Sequence, residues 1–351
     1  MKLYNLLALT ILILSAVSCE NTKTPDSDFF EISITGKKKG YRVSDMVSLV
    51  VKNKKNKTVD SVVYKLNSSK IASSKSLSEI SISLDNQKLG EQLIQTTIYS
   101  EGKTIVKGEK IILLSSIKPK LYTYKVLETY PHDIKAYTQG LEFVNDTLYE
   151  STGTYKMSSL RKTNYKTGAV LKQVDLADSY FGEGLTIMND NIYQLTWREN
   201  TGFIYDLSNM NKTGSFVYGA SKEGWGLCND GAAIYKSDGT QKIWTLDPDT
   251  LAEIGYIELY TNTSKIPKVN ELEWVEGKIY ANIYEKDAIA IVDPSNGAVE
   301  GVIDLSDLRS KVTQHKDLNV LNGIAYKGEE NILYITGKNW DSLFKVQIML
   351  K

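Results

Sequence analysis

A short pattern, a polar residue followed by Gly-Leu or a close variant of it, returns five times in the last two-thirds of this 351-residue chain. Gln139-Gly140-Leu141 opens the series, and Glu183-Gly184-Leu185, Trp225-Gly226-Leu227, Asn270-Glu271-Leu272 and Asn322-Gly323-Ile324 follow. The first residues stand 44, 42, 45 and 52 positions apart. A period of this size constrains the fold strongly, because each copy must be one supersecondary unit stacked on the next. A hairpin recurs with it. Leu160 to Leu176 turns at Asn164-Tyr165-Lys166-Thr167-Gly168, Ile243 to Leu259 at Asp247-Pro248-Asp249, and Ile289 to Leu305 at Asp293-Pro294-Ser295-Asn296-Gly297. Phe203 to Tyr218 is a looser copy around Asn209-Met210-Asn211. Pro, Gly and Asn stand where turns favour them. About four strands per period of roughly 45 residues is the pattern of a propeller blade.

The two ends of the repeat region complement each other. Leu343 to Met349 ends the last copy without a returning strand, and Tyr122 to Leu127 is a spare strand before the first. Joining them removes exposed sheet edges. The expected architecture is all-β: a five-bladed β-propeller over 121–351. Residues 28–117 alternate in short runs, Phe30 to Ile34, Val47 to Val51, Ser61 to Tyr64, Ser81 to Leu84 and Leu93 to Tyr99, which suggests a small Ig-like β-sandwich. It carries nothing catalytic and reads as a spacer or attachment domain, joined to the repeats by Ser115 to Lys120.

The chain opens with Met1-Lys2 and an apolar run from Leu3 to Val17. That run is shorter than the roughly 20 residues needed to span a bilayer, and with its basic start it reads as a signal peptide over 1–18. Ala16-Val17-Ser18-Cys19 resembles a bacterial lipobox, which implies cleavage before Cys19, lipidation of its thiol and a tether over 19–27. The expectation is an exported lipoprotein of the cell envelope, held to a membrane through Cys19 on the periplasmic side or at the cell surface.

Charge narrows the ligand classes. Residues 20–120 hold 18 Lys and Arg against 11 Asp and Glu, and residues 121–351 hold 23 against 31. An acidic body argues against nucleic acid and favours cationic ligands such as peptide amines. Lys37 to Lys39 and Lys52 to Lys57 read as solvated loops. After Cys19 only Cys228 remains, so no internal disulfide framework exists and a buried thiol is expected. The two histidines, His132 and His315, belong to no zinc-ligand motif.

In a propeller the first strand of each blade lines the central channel, so Gln139, Glu183, Trp225, Asn270 and Asn322 should converge at one mouth. The neighbouring strand adds a second ring: Trp197 follows Glu183 by 14 residues, Tyr284 follows Asn270 by 14, and Lys338 follows Asn322 by 16. One carboxylate, one amine, aromatic walls and several amides make a small-ligand pocket. Glu271 and Glu273 are left out of the reactive set, and Glu273 is read as facing outward or supporting from behind.

Tyr137-Thr138-Gln139-Gly140-Leu141, Phe181 to Thr186, Glu223-Gly224-Trp225-Gly226, Asn270 to Trp274, Leu321 to Ala325 and Thr336-Gly337-Lys338 together resemble the glutamine cyclotransferase family, the plant-type and bacterial glutaminyl cyclases, over essentially all of 121–351. Tyr284 departs from it, since plant members are expected to carry tryptophan there. The resemblance implies that peptides or proteins with N-terminal glutamine are closed to pyroglutamate with loss of ammonia. Glu183 would be general base and then acid, and Lys338 an oxyanion donor. Trp197, Trp225 and Tyr284 would fold the substrate, while Gln139, Asn270 and Asn322 hold its amine and first peptide group. No cofactor is required, a structural calcium ion is compatible with the oxygen-rich channel, and a monomer is expected. Two rivals belong to other classes: a calcium-dependent propeller hydrolase of lactonase type, with Glu183, Asn270 and Asn322 as oxygen ligands, and a non-enzymatic surface scaffold.

Overall fold

The structure, a computed structural model, describes residues 26–351. The signal-like segment and Cys19 lie outside them. Seven strands come first: β1 (Phe30–Ile34), β2 (Met46–Asn53), β3 (Val59–Leu66), β4 (Ser69–Ser74), β5 (Ile80–Ser83), β6 (Gly90–Ser100) and β7 (Lys103–Leu113). They form two sheets, β1-β2-β5 and β4-β3-β6-β7, around one core. Alternation sends Leu49 and Val51 from one sheet, and Tyr64, Ile94 and Ile98 from the other, into that core. The sequence reading has no counterpart for β4 and β7. Both are edge strands of their sheet; β4 is largely serine, and three lysines punctuate β7, so their apolar alternation is weak.

The long strand β8 (Lys120–Pro131) precedes the repeats. One sheet follows from β9 (Thr138–Val144), β10 (Thr147–Thr152), β11 (Ser159–Asn164) and β12 (Ala169–Asp175). The next holds β13 (Gly182–Met188), β14 (Asn191–Thr196), β15 (Thr201–Asp206) and β16 (Lys212–Val217). A third holds β17 (Leu227–Asn229), β18 (Ile234–Ser237), β19 (Lys242–Leu246) and β20 (Glu253–Glu258). Then come β21 (Val269–Val275), β22 (Lys278–Ile283), β23 (Ala288–Val292) and β24 (Val299–Asp304), and finally β25 (Leu321–Ala325), β26 (Ile332–Gly337) and β27 (Ser342–Leu350).

β8 supplies the missing partner of β27, antiparallel, with Ser342 opposite Pro131 and Leu350 opposite Tyr122. Its start also runs parallel to β24, Gly301 opposite Lys120. The sequence suggested the first pairing but not the second. Together they merge the last two groups of strands into one eight-stranded sheet.

The first strands of the five groups form a ring. β9 packs on β13, β13 on β17, β17 on β21, β21 on β25, and β25 returns to β9. This ring explains the repeated glycine. A Cβ on Gly140 would strike the backbone of Gly184 and Leu185, and one on Gly184 would strike Gly226 and Leu227. A Cβ on Gly226 would in turn strike Asn270 and Glu271. Neighbouring strands touch backbone to backbone, and Gly184 N–H donates to the Trp225 carbonyl at 2.7 Å.

The N-terminal sheets dock on the outside of the third and fourth groups. Tyr260 and Ala298 are buried in the N-terminal core, Arg42 Nη2 donates to the Asn262 carbonyl at 2.5 Å, and Ser115 N–H to that of Thr261 at 3.1 Å.

Candidate active site

Four of the five strands that carry the repeated motif break their pairing at the same place. The register shifts between Gly182 and Leu185, between Val269 and Leu272, and between Leu321 and Ile324. In β10 opposite β9 it shifts so that Gln139 is skipped. A bulge of this kind bends the strand and re-aims a side chain. Glu183, Asn270, Asn322 and Gln139 all stand in bulges, at one end of the ring.

The second ring is set by a repeated hydrogen bond. Trp197 N–H donates to the Phe181 carbonyl, Tyr284 N–H to that of Lys268, and Lys338 N–H to that of Val320, each at 2.9 Å. These three residues follow directly on β14, β22 and β26. Their side chains close a cavity of about 220 Å³ together with Gln139, Glu183, Trp225 and Asn270, and with Tyr137 and Phe181.

Glu183 is 4 % exposed, and its Oε1 accepts from Gln139 Nε2 at 3.2 Å. The Ser151 hydroxyl holds the Glu183 carbonyl, which fixes the backbone beneath the carboxylate. Burial pushes the Glu183 carboxyl well above the usual carboxylate range; Lys338 opposes this, and Glu223 and Glu199 add to it. Burial also draws Lys338 down to about 8, against the pull of Glu183. The Lys338 ammonium lies 4.9 Å from the Tyr137 ring centroid and 5.4 Å from that of Tyr284. Burial thus favours the neutral form of both groups, the protonated carboxyl and the uncharged amine.

The aromatic wall hangs on one carboxylate that sequence reasoning missed. Glu223 Oε2 accepts from Trp197 Nε1 at 2.8 Å and from Trp225 Nε1 at 2.9 Å. Its Oε1 accepts from Arg198 Nε at 3.1 Å, and the Arg198 guanidinium lies 3.7 Å from the Trp197 ring. Burial opposes ionisation of Glu223, yet the two indoles and Arg198 hold its pKa below the usual value. Trp225 meets Tyr284 edge to face at 5.6 Å.

The comparisons fit this geometry. A sequence profile described as glutamine cyclotransferase matches residues 94–348. The chain belongs to the glutamine cyclotransferase family. It is 39 % identical over 227 residues to the glutaminyl-peptide cyclotransferase of Arabidopsis thaliana, across 64 % of this chain and 71 % of that protein. The crystal structure of Myxococcus xanthus glutaminyl cyclase superposes with a TM-score of 0.62 at 32 % identity, covering 67 % of this chain and all of that one.

In this cyclotransferase-family chain, seven of the eight site residues read from sequence border the cavity. Asn322 does not. It is fully buried behind the wall, donating to the Thr138 carbonyl at 2.9 Å and to Gln139 Oε1 at 3.4 Å. Tyr137 and Phe181 are additions to the set. Cys228 is 1 % exposed, and burial pushes its thiol well up, away from nucleophilic use. His132 packs against Glu150, Nε2 to Oε1 3.1 Å, and His315 against the Asn339 carbonyl.

Deeper in the ring lie three more carboxylates, Glu271 and Glu273 buried and Glu142 partly buried. Glu142 accepts from Ile187 N–H at 3.1 Å, Glu271 from Ile324 N–H at 3.0 Å, and Glu273 from Tyr326 N–H at 2.6 Å. Each caps an amide of the next inner strand, which is the edge of its own sheet and lacks a ladder partner on that side. Glu273 is therefore buried rather than outward, at 5 % exposure. Burial pushes Glu142 up to about 8 and Glu271 and Glu273 well above their usual range.

Proposed function

We propose that this chain is a glutaminyl-peptide cyclotransferase in which Glu183 moves the proton and Lys338 meets the oxyanion. The α-amine of an N-terminal glutamine attacks its own side-chain amide carbon. A tetrahedral intermediate forms, the C–N bond to the amide nitrogen breaks, and ammonia leaves with pyroglutamate behind. The amine must be neutral to attack, and its ordinary pKa is about 7.7–8.0. A carboxylate with a raised pKa can take that proton and return it to the departing nitrogen. The observation that carries the reading is this carboxylate, buried beside one ammonium group within aromatic walls. A cavity of about 220 Å³ suits a single residue and promotes the ring-closing conformer. Ammonia release from a Gln-initiated dipeptide tests it; absence of release would favour a scaffold.

Glu223 acts as a positioning residue. Hydrogen bonds to a charged acceptor are worth about 1.5–3 kcal/mol. Glu223→Ala should raise KM about tenfold or more with a smaller change in kcat, and Glu223→Gln should restore most of the loss. Removing this negative charge also lowers the Glu183 pKa, so the acidic limb of the pH–rate profile should move down. An unchanged KM would leave both indoles held by packing alone.

The ring of five inner strands, one per group, supports a five-bladed propeller, and the two N-terminal sheets support an Ig-like sandwich. The domain division follows: 1–18 signal peptide, 19–27 tether, 28–117 sandwich, 121–351 catalytic. A truncated chain starting at Lys118 keeps β8 and should fold and cyclise. It exposes Tyr260 and Ala298, which is worth about 2 kcal/mol or roughly 4–8 °C in Tm. A soluble but inactive product would show that the sandwich orders the pocket. The lipobox-like Ala16 to Cys19 supports export and anchoring in the cell envelope through lipid on Cys19.

The chemistry needs no metal. Asn270 Oδ1, Asn322 Oδ1 and Glu271 Oε1 are buried without hydrogen-bond partners. Such oxygen donors fit a structural calcium ion, which these three residues would hold. A chelator should then lower Tm while ammonia release persists; release abolished by chelator would favour the metal-dependent hydrolase.

A further inference from the structure

A second concavity, about 570 Å³, lies beside the reactive cavity, and Trp225 borders both. It is shaped by the loop between β16 and β17 and by the loop between β18 and β19. Both loops are firmly held. Ala220 N–H and Ser221 N–H donate to Glu253 Oε2 at 2.7 and 3.1 Å, and the buried Lys236 Nζ donates to the Glu223 carbonyl at 2.9 Å. Gly239, at φ +76°, lies flat against the Trp225 indole, where a Cβ would collide with the ring.

The groove's charges are unevenly used. Glu223 is engaged by two indoles and Arg198. Asp238 accepts from Thr240 N–H at 3.0 Å and Thr240 Oγ1 at 2.6 Å, and from Trp244 Nε1 at 2.7 Å. Lys222 and Lys242 also line the groove, and among the described residues neither has a carboxylate partner within ion-pair distance. The Lys242 ammonium rests 5.1 Å from the Trp244 centroid and 4.0 Å from that of Tyr256. In a segment, 121–351, that is acidic overall, this groove offers two cations with no anion of their own among the described residues.

The reactive cavity is smaller than the roughly 300–1,000 Å³ of ordinary ligand sites, so it holds the glutamine and little more. The rest of a peptide must lie outside it, and the groove is the neighbouring concavity, with Trp225 as the wall the two share. We infer that the groove binds the second and third residues of an N-terminal-glutamine peptide and selects a carboxylate there. This rests on the cyclotransferase reading. A carboxylate could come from an acidic side chain or from the end of a very short peptide.

The test compares Gln-Glu-Ala-amide, Gln-Gln-Ala-amide, Gln-Lys-Ala-amide and Gln-Gln-Ala with a free terminus, in the wild-type chain and in Lys222→Glu/Lys242→Glu. Partly exposed ion pairs are each worth up to about 1 kcal/mol, so kcat/KM should be roughly tenfold higher for the Glu than for the Lys peptide. The free-terminus arm shows whether a terminal carboxylate serves equally. In about 1 M salt, where charges are screened within roughly 3 Å, the preference should collapse. The double variant should invert the order while cyclising glutamine amide, which has nothing to place in the groove, at the wild-type rate. A flat order in the wild type, or an order that survives both charge reversals, overturns the inference. Failure to cyclise glutamine amide would instead sink the activity reading, and calorimetric affinities for the same four peptides would then decide the groove by the same criterion.

Discussion

Glu183→Gln should slow cyclisation by about 10²–10⁴-fold, the usual contribution of a general acid–base group, in a protein that is more stable than wild type. The amide keeps the size of the side chain and an oxygen for Gln139 Nε2 to meet at about the present 3.2 Å. It removes the carboxylate of the cavity wall, whose pKa burial has raised well above the usual carboxylate range. The stability gain follows from the same shift. In the unfolded chain a glutamate titrates near 4.3, whereas in the folded chain Glu183 holds its proton to a higher pH. Between those two values the native state binds more protons than the unfolded state, so wild-type stability falls as pH rises. Glutamine has no such dependence. Melting temperatures of the pair should therefore diverge from about pH 4 upward, with the variant ahead. A variant with near-wild-type turnover would remove Glu183 from the mechanism; a variant equally stable at every pH would mean that the carboxylate is better solvated than its 4 % exposure implies.

Much of this site could be read in the chain because its chemistry is local. Gly140, Gly184 and Gly226 are needed where inner strands touch, and the bulge that re-aims Glu183 or Asn322 lies inside the same motif. Trp197, Tyr284 and Lys338 follow at nearly constant spacing because each ends the second strand of its group. What was missed depends on contacts between groups. Glu223 acquires its role only when an indole 26 residues earlier and another two residues later meet one oxygen. Glu142, Glu271 and Glu273 look like ordinary strand carboxylates until the adjacent inner strand supplies the amides they cap. Asn322 carries the motif but is tilted behind Gln139, so its position in the repeat was legible and its depth was not. The parallel start of β8 on β24 had no signal either, since Lys120 reads as the end of the linker and Tyr122 only opens the spare strand.

Lys338→Met should reduce kcat about 10²–10³-fold, as loss of one oxyanion donor does, with little change in KM. The negative charge that Lys338 meets exists only once the amine has attacked, so its contribution belongs to the transition state rather than to the bound substrate. Its placement suits that role, because it shares the cavity wall with Glu183 and lies between the rings of Tyr137 and Tyr284. The pH profile gives a second, independent reading. Lys338 lowers the Glu183 pKa, so without it the carboxyl holds its proton more tightly and the acidic limb of kcat/KM moves to higher pH. On the alkaline side, the charged lysine is lost as pH passes its depressed value of about 8, and methionine has no such transition, so that limb should disappear. A raised KM with turnover intact would assign Lys338 to the ground-state amide or to the peptide beyond it. Unchanged turnover with both limbs in place would make it a bystander, and the oxyanion would then have to be met by an amide such as that of Gln139 or Asn270.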